Sequence, residues 1–195
     1  MLSIWHIAQA SRYLARGGVI AYPTESVYGL GCNPWEAQAV ERILTLKHRD
    51  PNKGLIVIAA TIEQLAPLIE LAPAVPMAVV TRTWPGPVTW VLPAKKCVPV
   101  WLRGSQGGIA VRVSAHPVVQ ALCLSAGILV STSANPEGYS PAKTARRVRA
   151  YFGNQLDYIL PGTTGGGMAP TEIRHAVTGK LLRVSRSGSA SSHSS

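Results

Sequence analysis

Residues 127–141 read GILVSTSANPEGYSP, and the fold class follows from how this stretch is understood. Ile128, Leu129 and Val130 are followed at once by Ser131, Thr132, Ser133, Ala134 and Asn135, then by a Pro/Gly turn. A short apolar run without alternation describes a strand covered on both faces. The hydroxyl-rich segment is therefore expected where a buried strand ends and the chain breaks out. In open α/β sheets ligands gather at such ends, beside a rigid scaffold. Three hydroxyls and a carboxamide offer donors and acceptors but no acid or base of useful pKa. Such a set suits holding phosphate, ribose or a small amino acid; it equally suits capping the next helix.

Outward from this stretch, strands alternate with helices. Strands are expected at 19–23 (VIAYP), 54–60 (GLIVIAA), 88–94 (VTWVLPA), 108–114 (GIAVRVS) and in LDYILPG. TEIRHA and KLLRVS are expected to form a last pair. Helical spacing marks 6–16, 36–47, a segment after Thr61 with Gln64 in a capping box, 74–83, 117–126 and the basic 142–153. Thr24 to Gly31 reads as a loop with two glycines that allow close approach to a ligand. The pattern predicts a single-domain α/β protein whose twisted sheet is largely parallel. Antiparallel pieces are expected at 88–113 and 170–185, which makes the sheet mixed.

The 195 residues suit one domain, 47% of them apolar and only 14% charged. The expected extent is residues 1–186, with 187–195 (SGSASSHSS) a disordered Ser/Gly-rich tail that buries nothing. No apolar run is long enough for a membrane span, and the N-terminus lacks the pattern of a signal peptide. Cys32, Cys97 and Cys123 are odd in number and widely spaced, which suits packing roles in a reducing cytoplasm and gives no metal site. Neither GxGxxG after the first strand nor GxxxxGK[ST] is present, which excludes the common dinucleotide and P-loop folds.

The charge points to partners. Nineteen Lys and Arg against nine Asp and Glu give a formal +10, which suits nucleotide phosphates, RNA or both. Lys47 and Arg49 either complement a helix end or clamp phosphate. Arg112, inside the apolar strand GIAVRV, needs a carboxylate such as Glu25 or Glu172, or an anionic ligand. The few carboxylates available favour the ligand. Thr171 and Arg174 follow a run of three glycines. Lys143, Arg146, Arg147 and Arg149 form either a solvated helix face or an RNA contact. There is no HExxH, Cys/His cluster or nucleophile elbow, which leaves a cleft that works by positioning and charge neutralisation.

Six segments together carry a resemblance: YPTESVYGLG (22–31), KHRDPNKGLIVIAA (47–60), WPGPVTWVLPA (84–94), AVRVSAHP (110–117), STSANPEG (131–138) and PTEIRHAVTGKLLR (170–183). The sequence resembles the YrdC-like threonylcarbamoyl-AMP synthase family, in its short bacterial form. The resemblance implies an open twisted sheet with flanking helices enclosing a deep, positively charged cavity. It implies synthesis of threonylcarbamoyl-adenylate from L-threonine, bicarbonate or carbon dioxide, and ATP with Mg²⁺. It also implies downstream proteins that transfer the threonylcarbamoyl group to tRNA adenosine beside the anticodon, in the cytoplasm.

By the same resemblance Thr24, Ser131, Ser133 and Asn135 bind substrate, while Lys47, Arg49 and Arg112 are catalytic. Thr171 and Arg174 lie near the nucleotide. Asp50 and Ser114 stand where many members have proline.

Overall fold

In the computed structural model, residues 3–104, 108–167 and 171–183 are described. The expected tail, 187–195, lies outside the described residues. The strands are β1 (Ile20–Pro23), β2 (Tyr28–Gly31), β3 (Ile56–Ala59), β4 (Val88–Pro93), β5 (Gly108–Val113), β6 (Leu129–Ser133), β7 (Tyr158–Ile159), β8 (Glu172–His175) and β9 (Leu181–Arg183). The α-helices are α1 (Ile4–Ala15), α2 (Ala37–Lys47), α3 (Met77–Arg82), α4 (Val100–Arg103), α5 (Pro117–Ala126) and α6 (Ala145–Phe152).

All nine described strands join one sheet in the order β7-β1-β2-β6-β3-β5-β4-β8-β9. Only β1–β7, β3–β5 and β4–β8 pair in parallel; the other five pairings are antiparallel. The sheet is mixed, as expected, but the expected parallel majority is overturned: antiparallel pairings predominate. The cause is local. Residues 24–31 do not form an open loop: Thr24 N–H bonds Val27 O at 3.1 Å, closing a tight turn that folds β2 back on β1. That inserts an antiparallel strand in the middle of the sheet, beside β6.

Strand alternation sends side chains to two cores. Ile20, Tyr22, Ile58 and Leu129 pack with Ile7 and Leu14 of α1 and Val119 and Leu122 of α5. Their neighbours Ala21, Val57, Ala59 and Val130 pack with Val40 and Ile43 of α2 and Val148 and Phe152 of α6. Helices therefore cover both faces, which explains the unbroken apolar runs. Gly31 is needed for this packing: a Cβ there would meet Val130 O at 2.6 Å and the Tyr22 ring at 2.7 Å. The close approach expected of Gly31 is thus to a neighbouring strand.

Shorter corrections follow the same logic. Thr61 starts no helix. One 3-10 turn forms at Glu63–Leu65, and Gln64 bridges Ala60 N–H (2.8 Å) to Cys123 O (2.7 Å). Cys32 and Cys123 are buried as expected, whereas Cys97 is exposed. Among the described residues no helix is long and apolar enough to cross a membrane.

Candidate active site

A cleft of about 410 Å³ opens on the central strands, where β2, β6, β3 and β5 lie side by side. Its wall at one end is the β1–β2 turn and β6. Thr24 is buried there, and its hydroxyl donates to Val27 O at 2.7 Å, leaving its oxygen free to accept. Ser131 and Ser133 project beside it from β6. The strand does not end before the hydroxyls, as the sequence suggested; it runs through Ser133, so the ladder itself fixes their spacing.

Arg112 enters the same end from β5, where Ile58 is its partner across the ladder. It is only 5% exposed. Glu25 approaches its Nη2 at 3.4 Å, while Nε and Nη1 have no partner. The carboxylate reading from the sequence holds, with Glu25 as the partner, and two of the three guanidinium nitrogens remain uncommitted.

The other end is cationic. α2 closes on His48, in the left-handed conformation at φ 50°, and Arg49 N–H reaches back to Leu44 O at 3.0 Å. That cap turns the Arg49 side chain toward Gly54, whose carbonyl accepts from Nη2 at 3.0 Å. Arg49 Nε is buried and unpartnered, and burial lowers the guanidinium's pKa. Lys53 and Arg103 line the same end.

Arg183 stands between the two ends. It donates to Thr171 O from Nε (3.0 Å) and Nη2 (2.7 Å). Its pKa is lowered by partial burial in the cleft, and then by the like charges of Arg112 and Arg49. Five cationic side chains line the cleft among the described residues, and no carboxylate, histidine or cysteine does.

Of the residues singled out from sequence, Thr24, Arg49, Arg112, Ser131, Ser133 and Thr171 line the cleft together. Lys47, Asn135 and Arg174 do not line it. Lys47 is buried at the end of α2, and its ammonium donates to Ser133 O (2.6 Å), Asn135 O (2.7 Å) and Asn135 Oδ1 (3.4 Å). Burial, and then the charge of Arg49, pull its pKa down to about 8. All three hydrogen bonds go to the end of β6 and the segment that follows it. The Asn135 amide donates to Pro136 O (3.0 Å) and Tyr139 O (2.8 Å), which shapes the turn.

Arg174 points the other way. It pairs with Glu172 at 2.7 Å and lies over the Trp90 ring at 5.9 Å. Sequence reasoning missed Arg183, Arg103 and Lys53. Arg183 had a usable signal: it lies in the last strand pair, opposite Ile173.

A mixed, helix-covered sheet carrying a hydroxyl-lined, arginine-rimmed cleft on its central strands defines one class of α/β protein. The chain belongs to the Sua5/YciO/YrdC family, whose model, described as telomere recombination, matches residues 12–188. It is 52% identical over 185 residues to a threonylcarbamoyl-AMP synthase of Nitrosococcus oceani, covering 92% of this chain and 97% of that one. It is 50% identical over 183 residues to that of Pseudomonas aeruginosa UCBPP-PA14, covering 94% and 99%.

The structure of P. abyssi Sua5 complexed with L-threonine superposes with a TM-score of 0.84 at 33% identity, over 92% of this chain. The chain spans 54% of that protein's length. E. coli YciO superposes with a TM-score of 0.80 at 26% identity, over 92% of this chain and 87% of its own.

Proposed function

We propose that this protein is a threonylcarbamoyl-AMP synthase, joining L-threonine, bicarbonate or carbon dioxide, and ATP into L-threonylcarbamoyladenylate and pyrophosphate. One observation carries the reading. A single cleft joins a hydroxyl-lined end with a half-committed buried arginine to an end rimmed by cations, with no carboxylate, histidine or cysteine on its described lining to activate a hydroxyl. Relatives bearing this activity's name align over more than nine-tenths of the chain.

The amino acid occupies the Thr24–Ser131 end. Its carboxylate takes the free nitrogens of Arg112, and its hydroxyl takes the short polar side chains. The triphosphate lies toward Arg49, Lys53, Arg103 and Arg183. The threonine amine adds to carbon dioxide and releases a proton, giving a carbamate. A carbamate oxygen then attacks the α-phosphorus, the bond from that phosphorus to the α–β bridging oxygen breaks, and pyrophosphate leaves with the bond pair. The arginines neutralise the charge that develops on it. Since the substrate supplies the nucleophile, the protein's part is positioning and electrostatics. Lys47 acts one layer back, holding the Ser133 and Asn135 carbonyls so that β6 keeps its hydroxyls aimed.

Mg²⁺ is held in proteins by carboxylates together with phosphate oxygens. The described lining offers hydroxyls and cations but no carboxylate, and no described cluster of His, Cys, Asp and Glu suits a metal. A protein-held ion does not fit this donor set; magnesium enters on the oxygens of ATP itself, as part of that substrate.

The product is a mixed anhydride, consumed by transfer of its threonylcarbamoyl group to a tRNA adenosine by downstream proteins. Lys143, Arg146, Arg147 and Arg149 are all exposed on or just before α6, and are the surface through which RNA would be met.

The test is pyrophosphate release with each substrate omitted in turn. Release should require threonine, bicarbonate and ATP together. Serine, lacking one methyl, should be slower by about 10–200-fold, and valine, with no hydroxyl to bond to Thr24 and its neighbours, nearly inert. Release that ignores threonine would contradict the reading.

A further inference from the structure

Behind Arg112 lies a group of side chains that the reaction leaves unused. Ser114 has no exposed surface. Its Oγ–H donates to Glu25 Oε1 at 2.6 Å, and its oxygen accepts His116 N–H at 3.2 Å. Its main chain is pinned on both sides: Ser114 N–H bonds Ala59 O at 3.1 Å, and its carbonyl accepts from Gln120 Nε2 at 3.2 Å. Ser114 is thus fixed between β3 and α5 and has no freedom to follow a moving partner. The Glu25 main chain is held as well, since Gly167 N–H donates to its backbone carbonyl at 2.8 Å.

The geometry of the carboxylate is what matters. Arginine and carboxylate left to themselves close into a two-bond fork, which would occupy two guanidinium nitrogens. Here Ser114 commits Oε1, and only Oε2 faces Arg112, at 3.4 Å and without a hydrogen bond. The contact neutralises charge and orients the guanidinium while leaving Nε and Nη1 uncommitted. A buried guanidinium with two empty donors is costly unless an anionic ligand completes it.

We propose that Ser114 and Glu25 are positioning residues for Arg112. Ser114 holds one carboxylate oxygen away, so that Glu25 aims the arginine without consuming the nitrogens that take the substrate's carboxylate. The proposal rests on the threonine-binding reading of this end of the cleft. It also gives Ser114 a task that a proline at this position, with neither hydroxyl nor N–H, could not perform.

The experiment compares Ser114→Ala in the wild-type and Glu25→Ala backgrounds by steady-state pyrophosphate release. Without the hydroxyl, Glu25 closes on Arg112 and competes with substrate. The threonine KM should rise about tenfold, as for one charge-assisted hydrogen bond, with kcat and the ATP KM within about twofold. In Glu25→Ala the same substitution should change nothing further, because Ser114 acts only through that carboxylate. A merely structural role would lower kcat through loss of folded enzyme and leave both KM values alone. An unchanged threonine KM in Ser114→Ala, or an equal rise in both backgrounds, overturns the proposal.

The Nε–H signal of Arg112 in the NMR spectrum of the substrate-free protein supplies a readout independent of turnover. It should shift in Ser114→Ala as the ion pair closes. An unmoved signal overturns the proposal, whatever the assay gives. A wild-type protein with no threonine-dependent release would contradict the functional reading instead, and the NMR comparison would still decide the positioning.

Discussion

The two walls of the cleft are built from different parts of the same sheet. Thr24, Ser131 and Arg112 stand on or beside strands at the centre, where β1 and β2 are fully buried and helices cover both faces. Thr171 and Arg183 come from the β8–β9 edge, where β8 is half-buried and β9 exposed. A central strand has its register fixed by two neighbours and its side chains fixed by two cores. An edge strand has one neighbour, and β8–β9 carries a register shift between Ile173 and Arg174. The inner wall is therefore preset, and the outer wall, toward which the proposed reading puts the triphosphate, is more yielding.

Substitutions put that contrast at risk. The largest effect is expected at the inner wall. Arg112→Ala removes the buried cation and strands Glu25, and should lower kcat/KM by about 10²–10³-fold in the pyrophosphate assay. Lys47→Met comes next. It releases the Ser133 and Asn135 carbonyls together and should reduce kcat by about tenfold.

Lys47→Met should also change the pH dependence of stability. Burial disfavours the ammonium and lowers its pKa from 10.5 to about 8. The penalty is present below that value and relieved above it, where the unfolded chain still binds the proton. Wild type should therefore gain stability relative to the variant between about pH 8 and 10, measured by denaturant unfolding.

The outer wall should respond more weakly and selectively. Arg183→Ala should raise the ATP KM by about tenfold, whereas Arg174→Ala, whose side chain is engaged by Glu172 and Trp90, should stay within about twofold. An Arg174 effect as large as that of Arg183 would reverse the assignment of faces on β8–β9. The smallest effect on chemistry is expected from Arg146→Glu with Arg147→Glu, outside both walls. Adenylate formation should be unchanged, while tRNA binding weakens and its salt dependence becomes shallower. Unaltered tRNA binding would return α6 to a solvated face.

The same contrast explains what the sequence disclosed. On the inner wall, an arginine inside GIAVRV and hydroxyls at the end of ILV stand out against apolar surroundings, so their chemistry is legible in the order of residues alone. The family resemblance implied a shared cavity for Thr24, Arg49 and Arg112, and all three line one cleft. What stayed hidden was side-chain direction. Lys47 and Arg49 are two residues apart, yet the left-handed turn at His48 sends one under β6 and the other into the cleft. At β8 the two-residue period puts Ile173, like Thr171 just before the strand, inside and Arg174 outside, against Trp90. Nothing in PTEIRH states which parity faces the ligand. The β1–β2 hairpin was hidden for a related reason: YPTESVYGLG lacks the usual two-residue hairpin signature, so its tight turn read as a glycine loop.

Calorimetric binding of L-threonine and of ATP to Arg112→Ala and Arg49→Ala puts the two-ended cleft to its sharpest test. The prediction is a crossover: Arg112→Ala loses threonine and keeps most of its affinity for ATP, while Arg49→Ala does the reverse. Loss of the same ligand by both variants, to the same degree, would contradict a cleft with one end for the amino acid and another for the triphosphate.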